Sequence, residues 1–169
     1  ASCSGKTPEE HLQLAREYIQ KEDRQAAIIE LKNVLSKDAN NNEARIELSS
    51  IYASLGYGEG AEKEANRALE GGADLNLVAP LLVKSQKLLE KNQELIDQAD
   101  LFGPLNDDAK IEVNFYKALA YFRLSTPLKA IESIDFINEV NPLSKVSILG
   151  NIYLNVNRGD LDTATTQLK

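Results

Sequence analysis

Shifting this chain by 34 residues against itself brings Leu14, Tyr18, Ala27, Val34 and Ala39 onto Leu48, Tyr52, Ala61, Ala68 and Ala73. Ala130 and Ala164 stand the same distance apart, and the 69 residues from Ala61 to Ala130 hold one further unit with an extra loop residue. A repeat of this length is one supersecondary unit that cannot bury its apolar face alone, so successive units must stack. That single feature removes most folds from consideration.

Each unit reads as two helices. Thr7 and Glu10 form a capping-box pattern around Pro8, which suits a first helical turn. Leu12, Leu14, Ala15, Tyr18 and Ile19 then recur at helical spacing, and after Lys21-Glu22-Asp23 so do Ala27, Ile28, Leu31, Val34 and Leu35. The second unit turns at Gly56-Tyr57-Gly58 and ends at Gly71-Gly72; the fourth opens at Asp107-Asp108, turns at Ser125-Thr126-Pro127 and ends at Asn141-Pro142. The fifth starts near Ser144 and turns at Arg158-Gly159-Asp160, with its second helix unfinished. The expectation is an all-α solenoid of about five helical hairpins, the third degenerate and the fifth incomplete. Residues 1–6 form a tether, 7–73 two regular repeats, 74–109 the degenerate hairpin, and 110–169 one regular and one incomplete repeat of a longer array. Ala15 with Ala27, Ser49 with Ala61, and Ala118 with Ala130 are the small pairs that let antiparallel helices approach; a larger side chain there overpacks at about 1–3 kcal/mol. Tyr18, Tyr52 and Tyr121 are expected to fill the wedge between hairpins.

Composition narrows the chemistry. A net charge of −7 argues against sequence-independent nucleic-acid binding, which needs a basic footprint. The acidity is spread, with nine Lys/Arg against fourteen Asp/Glu in residues 1–74 and ten against twelve in 75–169. One Cys and one His exclude an internal disulfide framework and cannot build a zinc site. No stretch approaches the roughly 18 apolar residues of a membrane span.

Several motifs look catalytic but are read as structural. Gly56-x-Gly58-x-x-Ala61 matches the dinucleotide fingerprint in letters, yet an amphipathic helix stands where a buried strand must precede it. Gly5-Lys6-Thr7 mimics the end of a phosphate-binding loop without its first glycine. His11 and Cys3 do not make a nucleophile pair, and Asp107-Asp108 suits a helix start better than paired acid–base work. Glu59, Glu62 and Glu64 read as a solvated face. The reading is a non-enzyme with no catalytic residue, metal or cofactor.

His11-x2-Leu14-Ala15-x2-Tyr18 with Ala27-x3-Leu31 resembles the tetratricopeptide (TPR) repeat, as do Arg45-x2-Leu48-Ser49-x2-Tyr52 with Ala61-x3-Ala65 and Ala118-x2-Tyr121 with Ala130 and Pro142. The third unit departs from the pattern, with Gln86 at the aromatic position and Leu95 at the small one. The resemblance implies a concave face lined by the first helix of each hairpin, where an extended peptide or partner helix lies. That places Leu12, Arg16 and Ile19 inward, then Ile46, Ser50 and Ala53, then Phe115, Leu119 and Phe122, and lastly Leu149, Tyr153 and Val156. Phe115 and Phe122 have a second reading, as packing for the degenerate third unit. The carboxylate clamp of chaperone-binding members is absent, since Leu12, Arg16, Glu47, Leu77 and Leu81 occupy its five positions.

The order of units is also similar to the N-terminal part of PrsT-type TPR lipoproteins, which accompany the bacterial exosortase/PEP-CTERM sorting system and exopolysaccharide gene clusters: two good repeats, Gly71-Gly72-Ala73-Asp74 with a Leu-rich helix through Pro80, a degenerate hairpin, then renewed repeats. Ala1-Ser2-Cys3-Ser4 resembles the end of a bacterial lipobox, with a cloning remnant or a free thiol as the other reading. The resemblance implies acylation of Cys3, attachment to the outer membrane and a periplasmic location, with Ser4 rather than Asp after the cysteine. The expected function is a lipid-anchored scaffold for envelope protein sorting or exopolysaccharide export. The alternative is a soluble TPR adaptor, or a pilus or secretion assembly factor. The expected partner is a protein or peptide, with no nucleic acid, a membrane contact only through the lipid, and self-association through the unfinished C-terminal hairpin.

Overall fold

The computed structural model describes residues 5–160, 163 and 166, and these form helices joined by turns and short loops, with no strand among them. Among the described residues these are α1 (Pro8–Gln20), α2 (Arg24–Lys37), α3 (Asn42–Ser54), α4 (Gly58–Glu70), α5 (Leu75–Leu88), α6 (Asn92–Leu101), α7 (Asp107–Arg123), α8 (Pro127–Val140) and α9 (Lys145–Arg158). Cys3, Ala164 and most of the fifth hairpin's second helix lie outside the described residues; Thr163 and Thr166 are helical.

Local chemistry sets where the helices begin. Thr7 caps α1 by accepting from the Glu10 N–H at 3.2 Å, while its own N–H donates to Glu10 Oε2 at 2.8 Å. Asp23, Asn41, Asn106 and Ser144 each accept from the backbone N–H three residues on. Such caps satisfy donors that a helix start leaves without partners, at about 1 kcal/mol each. The turns inside the hairpins share one geometry. Positive φ angles fall at Glu22, Gly56, Glu90, Ser125 and Gly159, at intervals of 34, 34, 35 and 34 residues. In three of these turns the N–H of the residue after the left-handed one donates to a tyrosine carbonyl: Asp23 to Tyr18, Tyr57 to Tyr52, and Thr126 to Tyr121. The third hairpin, weak in sequence, keeps this turn at Glu90.

The chain divides into two compact units, Ala1–Leu88 and Leu89–Lys169. The division falls inside the third hairpin, because α5 packs on α4 and α3 whereas α6 packs on α7. In the first unit α1 pairs with α2 and α3 with α4. Ala15, Ala27, Ala61 and Leu31 are fully buried there, with Leu48 nearly so. Ser49 fits the crossing for a reason beyond size: its hydroxyl donates to the Ala61 carbonyl at 2.8 Å across the helix pair. In the second unit α7 pairs with α8, and α9 packs on both. Ala118, Ala130, Ile134 and Leu154 form one buried cluster, and Ile111, Phe115 and Ile137 another. The two residues that depart from the repeat, Gln86 on α5 and Leu95 on α6, are both buried. Pro80 lies inside α5, where it removes one backbone hydrogen bond.

Candidate partner-binding site

In the first unit the candidate face lies on α1 and α3. Arg16 bridges these helices: its Nε donates to Glu47 Oε1 at 3.1 Å and its Nη2 to Glu43 Oε1. The Glu47 hydrogen bond and the two carboxylates hold the Arg16 guanidinium above its ordinary pKa. Glu47 moves above the usual carboxylate range because burial outweighs Arg16, and its Oε2 is enclosed without a hydrogen-bond partner. Around this cluster Ile46 is half-buried, and Ile19 and Ser50 are exposed. Leu12 and Ala53, expected on the binding face, are instead core residues. Leu12 packs with Ala15, Ala27 and Leu31, because its position on α1 faces α2.

In the second unit the face is apolar. Tyr153 on α9 meets Phe115 on α7 edge to face, with centroids 6.3 Å apart and planes at 74°. Phe115 also stands edge-on to Tyr116 at 5.5 Å, and burial pushes the Tyr116 hydroxyl up to about 12. Phe115 itself is buried with Ile111 and Ile137, flanked by Leu119. Phe122 is half-buried against Ala118, Ala130, Ile134 and Leu154. Both phenylalanines therefore pack onto α8 and α9. Leu149, Tyr153 and Val156 recur along one side of α9 and remain 43%, 44% and 47% exposed. Each unit thus exposes only part of its share of the expected residues, beside charged side chains in the first and along an apolar side of α9 in the second.

Two polar contacts between paired helices were missed in the sequence. His11 Nδ1 meets Glu30 Oε2 at 2.5 Å between α1 and α2, and Arg45 Nη1 meets Glu64 Oε2 at 2.5 Å between α3 and α4. His11 and Arg45 occupy the same repeat position, and so do Glu30 and Glu64; that coincidence was the available signal. Glu64, expected on a solvated face, is instead buried, because Arg45 draws it inward. Among the described residues no three His, Cys, Asp or Glu side chains are grouped to hold a metal ion. None of the described helices is long and apolar enough to cross a membrane.

No family model and no curated protein sequence matches the chain. Solved structures do. A tetratricopeptide repeat protein from Parabacteroides merdae ATCC 43184 superposes with a TM-score of 0.68 at 21% identity, over 96% of this chain and 64% of that one, so the chain spans under two thirds of its length. MamA (41-end) from Desulfovibrio magneticus RS-1 gives 0.73 at 15% identity, over 97% and 92% of the two chains. TTC0263, a thermophilic TPR protein in Thermus thermophilus, gives 0.73 at 16% identity, over 95% and 88%. With nine described helices, a shared turn at each repeat interval and these likenesses, the chain has an all-α fold of the tetratricopeptide-repeat type.

Proposed function

We propose that the chain is a non-catalytic protein-interaction scaffold that holds an extended peptide or a partner helix on the exposed faces of its first-in-hairpin helices. The apolar side of α9 carries this reading: Leu149, Tyr153 and Val156 are exposed together, and Phe115 backs Tyr153 as a rigid aromatic anchor. Aromatic anchors with a firm backing supply most of the energy at protein interfaces. Panning a random peptide library on the folded protein tests it. Selected peptides should lose at least about tenfold in affinity on Leu149→Glu with Tyr153→Glu, since each charge would face an apolar contact. A selection that yields no peptide able to distinguish the two forms would overturn the placement. Sedimentation of the same two proteins reads out self-association through this face.

At finer grain the proposal is a lipoprotein anchored through acylated Cys3 to the outer membrane and serving envelope protein sorting or exopolysaccharide export. The lipobox-like Ala1-Ser2-Cys3-Ser4 and the order of the repeats support it. A multiply acylated cysteine holds a membrane well, whereas a single chain holds it marginally. Expression of the full-length gene in a Gram-negative host, with fractionation and mass analysis of the N-terminal peptide, decides the matter. Acylated Cys3 in the outer membrane is expected; an unmodified Cys3 in the soluble fraction would leave a soluble adaptor.

A further inference from the structure

We propose that the cleft between α2 and α4 of the first unit is a second docking site, which takes an acidic peptide segment bearing one apolar anchor side chain. Its lining residues are different from those of the faces discussed above, and it stands whether or not they bind anything. The cleft measures about 520 Å³, within the range of pockets that hold a small ligand or a side chain with its neighbours. Leu35, Tyr52 and Tyr57 give it an apolar lining, and Lys32 on α2 and Lys63 on α4 stand exposed beside it.

Comparison with the first hairpin shows how the cleft was made. Asp23 caps α2 by accepting from the Ala26 N–H. At the equivalent position Tyr57 begins α4 with no side-chain cap at all. Its ring lies edge-on to Tyr52, centroids 6.2 Å apart, and 57% of the residue remains exposed. Ala26 likewise gives way to Gly60, in a helix where glycine is a poor former. A Cβ at Gly60 would stand 3.0 Å from the Tyr52 ring, so the glycine makes room for the aromatic wall. Two departures from good helix chemistry therefore line the same cleft, and local rules tend to be broken where a site requires it.

Charge selects the occupant. Glu64 also lines the cleft, but Arg45 engages it at 2.5 Å. Among the described residues neither Lys32 nor Lys63 has an ion-pair partner. On a chain of net charge −7 this is a local cationic spot around an aromatic hollow. Complementary charge steers and orients an acidic segment, while the hollow accepts its apolar side chain.

The test is a fluorescence-anisotropy titration of the folded chain with a labelled, blocked peptide of sequence Glu-Asp-Leu-Phe-Asp-Glu, beside the same peptide with lysine at the four acidic positions. The acidic peptide should bind at least about tenfold tighter than the basic one, and more weakly as salt is raised. Lys32→Glu with Lys63→Glu should lose about tenfold or more. Tyr57→Asp should lose as much without lowering the melting temperature, because it restores the cap that Asp23 makes and so separates binding from folding. Equal affinity for both peptides, no saturation, or unchanged binding by Tyr57→Asp would overturn the proposal. So would a dimer that Tyr57→Asp dissociates, since the occupant would then be a second copy of the chain. Leu149→Glu with Tyr153→Glu should leave this titration unaltered, so the two binding readings fail separately.

Discussion

The α3–α4 hairpin of the first unit and the α7–α8 hairpin of the second share a turn geometry and a small-residue crossing, but they tie their helices together differently. Arg45 and Glu64 join α3 to α4 through a charged pair whose side chains are 11% and 9% exposed. At the equivalent positions of the second unit stand Asn114 and Ser133. Each bonds back to its own helix, Asn114 to the Lys110 carbonyl and Ser133 to the Lys129 carbonyl. The second unit places its cross-helix polar contacts elsewhere. Asn138 on α8 and Asn151 on α9 exchange amide hydrogen bonds at 3.1 and 2.9 Å, and the Ser147 hydroxyl donates to Asn138 Oδ1. One repeat geometry thus tolerates a charged lock or a neutral knot.

Removing one partner at each equivalent site sharpens this contrast most. Arg45→Ala strands a buried carboxylate that Arg67 approaches no nearer than 3.7 Å, and should lower stability by about 3 kcal/mol in urea unfolding. Asn114→Ala, whose hydrogen bond stays within its own helix, should cost under about 1 kcal/mol. Equal losses would show that the charged pair is not what distinguishes the units.

Acid offers the next separation. The hydrogen bond from His11, ahead of the opposing effect of burial, holds the Glu30 carboxyl below its ordinary value. A carboxyl lowered in the folded state contributes stability that is present above its unfolded pKa and lost as the pH falls through its folded one. Glu47 runs the other way: raised by burial, its contribution is present at low pH and lost as the pH rises through the raised value. Below about pH 4 the Glu30 effect should therefore weaken the first unit, and Glu30→Gln should flatten that acid limb. An unchanged limb in thermal melts across this range would remove His11–Glu30 as a pH-dependent lock.

The smallest effect is expected at the shared turn. Gly56 and Ser125 occupy equivalent left-handed positions with φ of 80° and 57°. Ser125→Gly should raise stability by about 0.5–1 kcal/mol, and Gly56→Ser should lower it by a similar amount. A loss on Ser125→Gly would mean that the serine side chain does something the turn geometry does not show.

The hairpins were legible because the features that define them are local. Capping residues, turn residues and small residues at helix crossings recur at a fixed interval, and the described structure keeps that interval even where the third hairpin loses its aromatic to Gln86. The exposure of the residues expected on the partner face was half legible. Ile19, Leu149, Tyr153 and Val156 are exposed as read, whereas Leu12, Ala53 and Phe115 are core. Helical spacing puts a residue on a face but does not say how far the neighbouring helix covers it. The His11–Glu30 and Arg45–Glu64 contacts escaped because each joins residues 19 apart, across a turn, and only their recurrence in the next repeat marked them.

What the sequence by itself determined is the repeat, the all-helical class and the starts of the helices with a capping side chain, since these depend on contacts within a few residues. Tertiary structure alone decided which charges were drawn inside. It also decided that the α2–α4 cleft opens around Tyr52 and Tyr57, and that the third hairpin divides between two units. Those outcomes depend on how closely one helix approaches another, and that distance is set by packing among side chains far apart in the chain.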